Sequence, residues 1–318
     1  MRIPNPHFDQ DRVVWRDEYS GLYEPPPSGY AEQFELQWKL ALDGRPGYFD
    51  NPGASTEDAY IDDRVYEWTG VHPRGLAGFA DENMGIRKLD VPVDPQLIAG
   101  KRAIDIACGL GRWTRTMQRL GAAFVQSIDI SESALRSVAR FNPNVSRENI
   151  MDIPQRHPEW VGAFDFANCW GVAMCTHDPL KAFLSAASTV KPGGSLYLYV
   201  YGPEGIHATA VANRQRRQFH RLATVDERLR YVDAVYDRTW QSNLTLADNL
   251  KNVARNLLRR PKGSKHGVLD LLEPFYNWVI PLDVIEQWSH KGGFASHTLL
   301  NTGGQPRCGF HVLFTKSA

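Results

Sequence analysis

The chain has 318 residues, 42% hydrophobic and 23% charged, and its 36 Lys+Arg balance 36 Asp+Glu. That length can bury one large core or two modest ones, and the balanced charge argues against a nucleic-acid binder. No apolar run reaches the ~18 residues of a membrane span.

The amino-terminal MRIPNPHFDQDRVVW lacks the apolar core of a secretory signal. Four cysteines, Cys108, Cys169, Cys175 and Cys308, are scattered without a disulfide framework, so the expected setting is cytoplasmic and reduced.

Residues 1–95 hold 18 Asp+Glu against 9 Lys+Arg and are rich in aromatics. They are expected to form a helical cover. SGYAEQFELQWKLAL offers Ser28 as an N-cap, with Tyr30, Phe34 and Trp38 at helical spacing. TEDAYIDDRVYEWTG starts at Thr56 with acids in its first turn, carries Ile61, Val65 and Trp68 on one face, and stops at Gly70.

From Lys101 the pattern becomes strand, turn, helix, repeated. RAIDIA reads as a strand, RWTRTMQRLG as a helix, AFVQSIDI as a second strand, and SESALRSVARF as a helix that Ser131 can cap. SRENIMDI and AFDFANCW read as a third and fourth strand, DPLKAFLSAASTV as a helix, and SLYLYVY, after the KPGG turn, as a fifth strand. Such alternation implies a parallel sheet covered on both faces. Residues 96–204 are taken as this core.

Residues 205–275 lose strand character. LTLADNLKNVARNLLRR sets Leu246, Leu250, Val253 and Leu257 on one stripe, and Arg214–Lys265 holds 13 Lys+Arg against 5 Asp+Glu. This helical insert is either a solvated outer face or a basic wall that draws an anionic acceptor, with Arg216 and Arg217 as candidate steering charges. Residues 276–318 return to the core through the helix PLDVIEQWSHKGGF and a closing strand pair, SHTLLNT and RCGFHVLFTK.

Gly109-Leu110-Gly111 joins a strand to a helix, a place where backbone N–H groups meet a ligand. A dinucleotide loop would continue to a third Gly or Ala, but Thr114 stands there. Asp105, just before the loop, would repel a pyrophosphate and suits a cationic group. Asp129 ends the second strand, 18 positions after Gly111, where an acid accepts ribose hydroxyls. Asp152, 23 positions further, could accept from an adenine amino group while Ile130 and Ile153 sandwich the ring. An ammonium, a ribose diol and an adenine without phosphate describe S-adenosylmethionine.

AIDIACGLGRW, SIDISESAL, NIMDIP, FDFANCWGV and VKPGGSLYLYVYG together resemble, in order and spacing, the class I S-adenosylmethionine-dependent methyltransferases of small molecules. The resemblance implies a Rossmann-like α/β fold with a seven-stranded, mostly parallel sheet and a closing antiparallel strand. It implies that Asp105, Ala107 and Gly109–Gly111 hold the methionine end. Asp129 then holds the ribose, Asp152 and Ile153 the adenine, and the backbone around Asn168–Trp170 the methionine amino group. Ala107 stands where many members have Gly.

In the loop CWGVAMCTHDP, Met174 and Cys175 occupy positions where many members keep histidines. His177 could act as a substitute general base or merely precede a helix cap. Trp170 and Tyr201, at strand carboxyl ends, could shield a cation with their ring faces. Cys169, Cys175 and His177 lack a fourth ligand, and no metal is expected. The expectation is a methyltransferase for a small, in one reading anionic, metabolite, with a slight lean to a sulfur or nitrogen acceptor. An O-methyltransferase using His177 is the alternative. A non-catalytic S-adenosylmethionine-binding module and a nicotinamide oxidoreductase are the readings from other classes. Neither a nucleic-acid nor a membrane partner is expected, and a homo-oligomer is left open.

Overall fold

The computed structural model describes residues 31–48, 58–73, 88–205, 207, 209–237, 246–257, 265–274, 276–302 and 309–318. Ser28, Tyr30, Thr56 and Cys308 lie outside these.

Helices α1 (Ala31–Leu42) and α2 (Asp58–Thr69) precede the first strand. The core then runs β1 (Arg102–Ile106), α3 (Arg112–Arg119), β2 (Phe124–Asp129), α4 (Glu132–Val138) and β3 (Val145–Arg147). It continues with α5 (Ile153–Arg156), β4 (Phe164–Trp170), α6 (Pro179–Thr189) and β5 (Val190–Tyr201). Four helices follow: α7 (Ala210–His220), α8 (Val225–Tyr236), α9 (Leu246–Leu257) and α10 (Lys265–Leu272). The chain closes with α11 (Leu282–Lys291), β6 (Phe294–Leu299) and β7 (Gly309–Lys316).

The sheet order is β3-β2-β1-β4-β5-β7-β6. The first five strands are parallel, and β7 runs antiparallel to both β5 and β6. Central strands are apolar on both faces because helices cover both: Ala103, Ile104 and Ile106 of β1 and Phe166, Ala167 and Cys169 of β4 are fully buried. The chain leaves β1 toward β2 and β3, then returns to β4 on the other side. The two connections diverge there and open a crevice at the strand carboxyl ends, the usual ligand position in such sheets.

Local signals behave as expected where the backbone alone decides. Ser131 caps α4 by accepting from the Ala134 N–H, and Asp178 caps α6 by accepting from Lys181. The expected third strand is shorter. After Arg147 the chain turns into a single 3-10 turn at Ile150–Asp152, because the Asn149 side chain accepts from Met151 N at 3.0 Å and draws the backbone out of the ladder.

The described helices of the segment 1–95 divide between two neighbours. On α2, Trp68 stacks on Trp113 at 4.4 Å and touches Phe166 and Tyr197, so that helix belongs to the sheet's core. Leu40 of α1 shares a separate cluster with Phe219, Leu229, Val232, Leu269 and Leu272 of the insert. Arg216, read as a steering charge, is 1% exposed and donates to the carbonyls of His207 at 2.7 Å and Leu271 at 3.4 Å. It ties the insert together and faces no solvent.

Candidate functional site

The loop after β1 is shaped by three residues in the left-handed region: Ala107 at φ 58°, Gly109 at 52° and Gly111 at 89°. Ala107 is the single non-glycine with positive φ among the described residues. A left-handed alanine costs about 1–2 kcal/mol, and such strain sits where a loop is held for a ligand. At Gly111 a Cβ would come within 2.5 Å of Phe141, and at Gly109 within 2.9 Å of Trp38. A hydrogen at Gly109 lets α1 close on this loop, and one at Gly111 leaves room for Val138 and Phe141 at the end of α4.

Asp129 turns a buried carboxylate toward the crevice. One oxygen accepts from Gly109 N at 2.9 Å and the other from Ser131 N at 2.8 Å. Burial raises its pKa from 3.8 to about 6, against those two hydrogen bonds, which lower it. Each oxygen keeps a lone pair for a further donor.

Asp105 stands differently. It is fully buried below the loop, accepting from Thr114 Oγ1 at 2.6 Å and Asn168 Nδ2 at 2.7 Å, and burial raises its pKa. It therefore pins α3 and β4 to β1, and a direct contact with a cofactor ammonium is not what its position offers. Thr114, the residue that breaks the dinucleotide pattern, is its partner.

The loop residues 107–110 and Asp129 border a solvent-open cavity of about 220 Å³. Of the residues singled out in the sequence, Ala107, Gly109, Asp129, Ile130, Trp170 and Tyr201 line it, whereas Asp105, Gly111, Asp152, Ile153, Asn168 and His177 do not. Asp152 points to Lys181 at 3.8 Å on the outside, and Ile153 is buried in the core beneath. The wall that follows β3 is made by Glu148, Asn149 and Ile150 instead, since the 3-10 turn brings the residues right after the strand inward. Glu148 is itself held by Arg156 at 3.0 Å and His157 at 2.8 Å.

The far half of the cavity is built by elements outside the core. Helix α1 supplies Phe34, Gln37 and Trp38, α2 supplies Tyr60, and α10 supplies His266 and Asp270. Glu35 clasps α1 to the core by accepting from Ser131 Oγ at 2.7 Å, Ser133 N at 3.1 Å and the Ser133 hydroxyl.

In the cavity, the Arg112 guanidinium lies 4.0 Å over the Trp170 ring, which stacks on Tyr199 at 4.6 Å. Burial works against the Arg112 charge, and Tyr60, Glu67 and Asp270 more than restore it. Asp270 accepts from Tyr201 Oη at 3.3 Å, and burial raises its pKa in spite of nearby Arg112 and a hydrogen bond from Gln37. His266, beside Gln37 at 3.3 Å, has its pKa pushed down to about 3 by burial and by Arg112, and is neutral. Sequence reading missed Asp270, Arg112 and His266. Arg112 adjoins the glycine loop and could have been flagged, but nothing local marks Asp270.

His177 sits outside the cavity wall, half-buried, with its pKa lowered by burial and its ring 6.3 Å from that of Tyr276. The expected cation-shielding pair is half altered: Trp170 already carries Arg112, and Tyr201 packs face to face on His207 at 3.5 Å while offering its hydroxyl to Asp270. Cys175 and Thr176 reach the cavity, and Cys169 lies buried in β4 with its pKa pushed up to about 12. Among the described residues no three His, Cys, Asp or Glu side chains converge as a metal site, and no helix is long and apolar enough to cross a membrane.

A family model described as a methyltransferase domain matches residues 86–253. A ubiquinone biosynthesis O-methyltransferase of Marinobacter nauticus is 34% identical over 107 residues, 32% of this chain and 44% of that protein. The protein of the same name from Xanthomonas campestris is 31% identical over 118 residues, 35% of this chain and 47% of its own. The chain thus spans less than half the length of these relatives. A solved S-adenosylmethionine-dependent methyltransferase from Mesorhizobium loti aligns over 70% of this chain and 96% of its own, at 15% identity and a TM-score of 0.41. The crevice side chains suit that cofactor, because the glycine loop leaves backbone room and the buried Asp129 carboxylate, with acceptor capacity left, matches a diol rather than a phosphate. With just over half of its length inside the family model, the chain belongs to the class I S-adenosylmethionine-dependent methyltransferases.

Proposed function

We propose that this protein transfers a methyl group from S-adenosylmethionine to a hydroxyl or amine of a small polar molecule, with Asp270 receiving the acceptor's proton. The observation that carries this reading is the Asp270 carboxylate, brought by the insert into the same cavity as the glycine loop and Asp129. Bound in the crevice, the cofactor supplies an activated methyl group and a good leaving group.

The protein's own residues do the rest. Asp129 accepts the ribose hydroxyls, the Ala107–Leu110 backbone borders the methionine end, and Asn149 and Ile150 flank the adenine. Phe34, Trp38 and Trp170 exclude water. Arg112, Gln37 and Tyr201 favour the ionised form of Asp270 against burial, which raises its pKa overall. Burial that raises a carboxylate's pKa makes it a stronger proton acceptor, which suits a general base. Neutral His266 and the high-pKa Tyr201 are poor ones.

A thioether acceptor would carry no proton and would gain nothing from this polar wall, so the acceptor is read as nitrogen or oxygen. The relatives' names favour oxygen. The test is tritium transfer from labelled S-adenosylmethionine into a metabolite pool. Asp270→Asn should lower kcat by about 10²–10⁴-fold, with cofactor affinity kept, and His177→Ala should stay within about threefold. Full activity in Asp270→Asn, or a loss of that size in His177→Ala, would return the base to the loop after β4.

A further inference from the structure

Among the described residues, the cavity wall holds one cationic side chain, Arg112. Its guanidinium face rests on the Trp170 ring at 4.0 Å, and it donates to the Tyr60 hydroxyl, which also lines the cavity. Glu67 and Asp270 stabilise the charge through space, but each carboxylate is engaged elsewhere. Glu67 pairs with Arg64, and Asp270 accepts from Tyr201 and Gln37. A guanidinium stacked on an aromatic ring still presents a planar fork of N–H donors along its edge. Arg112 therefore keeps donors for a further acceptor, and its charge has no carboxylate in contact among the described residues.

The surroundings say which acceptor. The groups around the guanidinium come from outside the core: Tyr60 from α2, and Asp270 and His266 from α10. They belong to the half of the cavity that faces away from Asp129 and Asn149. His266 is neutral and adds no positive charge. One guanidinium beside an acid can balance a carboxylate, whereas a phosphate brings about two negative charges and would be under-compensated. A planar fork also matches a carboxylate at two points. Attraction of an anion was expected from the basic insert, but Arg216 is buried on backbone carbonyls, and Arg112 is the cation that reaches the cavity.

We propose that the acceptor is a carboxylic acid, with its carboxylate held by the Arg112 fork and the Tyr60 hydroxyl and its hydroxyl or amine turned toward Asp270. Arg112 and Tyr60 then set specificity: a neutral analogue of the acid would leave the guanidinium uncompensated in the closed site. This inference rests on the methyl-transfer reading and adds the charge of the acceptor to it.

The test uses methyl-deuterated S-adenosylmethionine, the full chain and a metabolite pool. New labelled products are weighed by mass spectrometry before and after carbodiimide coupling to benzylamine, which tags free carboxylates. The main labelled product should take the tag. A labelled product without a carboxylate would overturn the inference and leave methyl transfer standing; no labelled product would overturn the methyl-transfer reading, and the inference with it. For the acid so identified, KM should rise about tenfold or more in Arg112→Gln and by a smaller factor in Tyr60→Phe, while the Kd of S-adenosylmethionine, read by calorimetry, stays within about threefold. An unchanged KM in both variants would overturn the proposal. So would a tenfold weaker cofactor in Arg112→Gln, since the guanidinium would then serve the cofactor's own carboxylate.

Discussion

Asp129 gives the most quantitative test of the cofactor half. The residue is 5% exposed, and burial lifts its pKa from 3.8 to about 6. Because the folded-state value lies above the unfolded one, the contribution to stability is full below pH 3.8 and is lost as pH rises through about 6. Ribose hydroxyls donating to the carboxylate favour the ionised form, so cofactor binding and loss of this proton are linked. From pH 7 to pH 5 the ionised fraction falls from about nine-tenths to about one-tenth, and Kd should rise about tenfold, or ~1.4 kcal/mol. Asp129→Asn keeps the size and removes the charge. A hydrogen bond to a charged group is worth about 1.5–3 kcal/mol, so at pH 7 Kd should rise roughly ten- to 150-fold and should no longer depend on pH. Titration calorimetry between pH 5 and 7 stays below the range of an α-amino group, about 7.7–8.0. A wild-type Kd that is flat over this range, or an Asn variant that binds as tightly as the wild type, would refute the assignment of Asp129 to the ribose.

Two further predictions concern the approach of α1. Gly109→Ala places a methyl 2.9 Å from the Trp38 ring at a positive φ, so cofactor affinity should fall about tenfold or more, and tryptophan fluorescence should report a displaced Trp38. Glu35→Ala removes the clasp on α4 and should weaken cofactor binding while leaving the sheet folded, as read by calorimetry and far-ultraviolet circular dichroism. The pKa of Glu35 is lowered overall: partial burial raises it, and hydrogen bonds from Ser133 and Ser131 outweigh that. The clasp's contribution is therefore present above pH 4.5 and lost as pH falls through the folded-state value. Wild-type and Glu35→Ala melting curves should converge in acid, and a constant gap would show that the carboxylate does not carry the clasp.

The sequence by itself determined the core and the cofactor loop. Ser131 and Asp178 cap their helices through contacts three residues away, and the Gly109–Gly111 turn needs only local backbone freedom, so their roles are written in short stretches of chain. The parallel sheet follows from apolar strands alternating with amphipathic helices, a pattern that admits few topologies. Asp129 is legible because it ends a strand at a fixed distance from that loop. What only the tertiary structure decided lies where distant segments meet. One shift was local and still missed: the Asn149 side chain, accepting from Met151 N two residues on, moved the wall after β3 from Asp152 and Ile153 to Glu148, Asn149 and Ile150. Thr114 and Asn168, 9 and 63 positions from Asp105, took up its carboxylate and withdrew it from the crevice. Asp270 entered the cavity from a helix 159 positions after Gly111, and no periodicity reports which face of such a helix meets which loop. Arg216 and the Leu246–Val253 stripe make the same point in opposite directions. A basic residue was buried and an apolar face was left outside, because burial is settled by the neighbours a segment finds and the charge or hydropathy of the segment only weights the outcome.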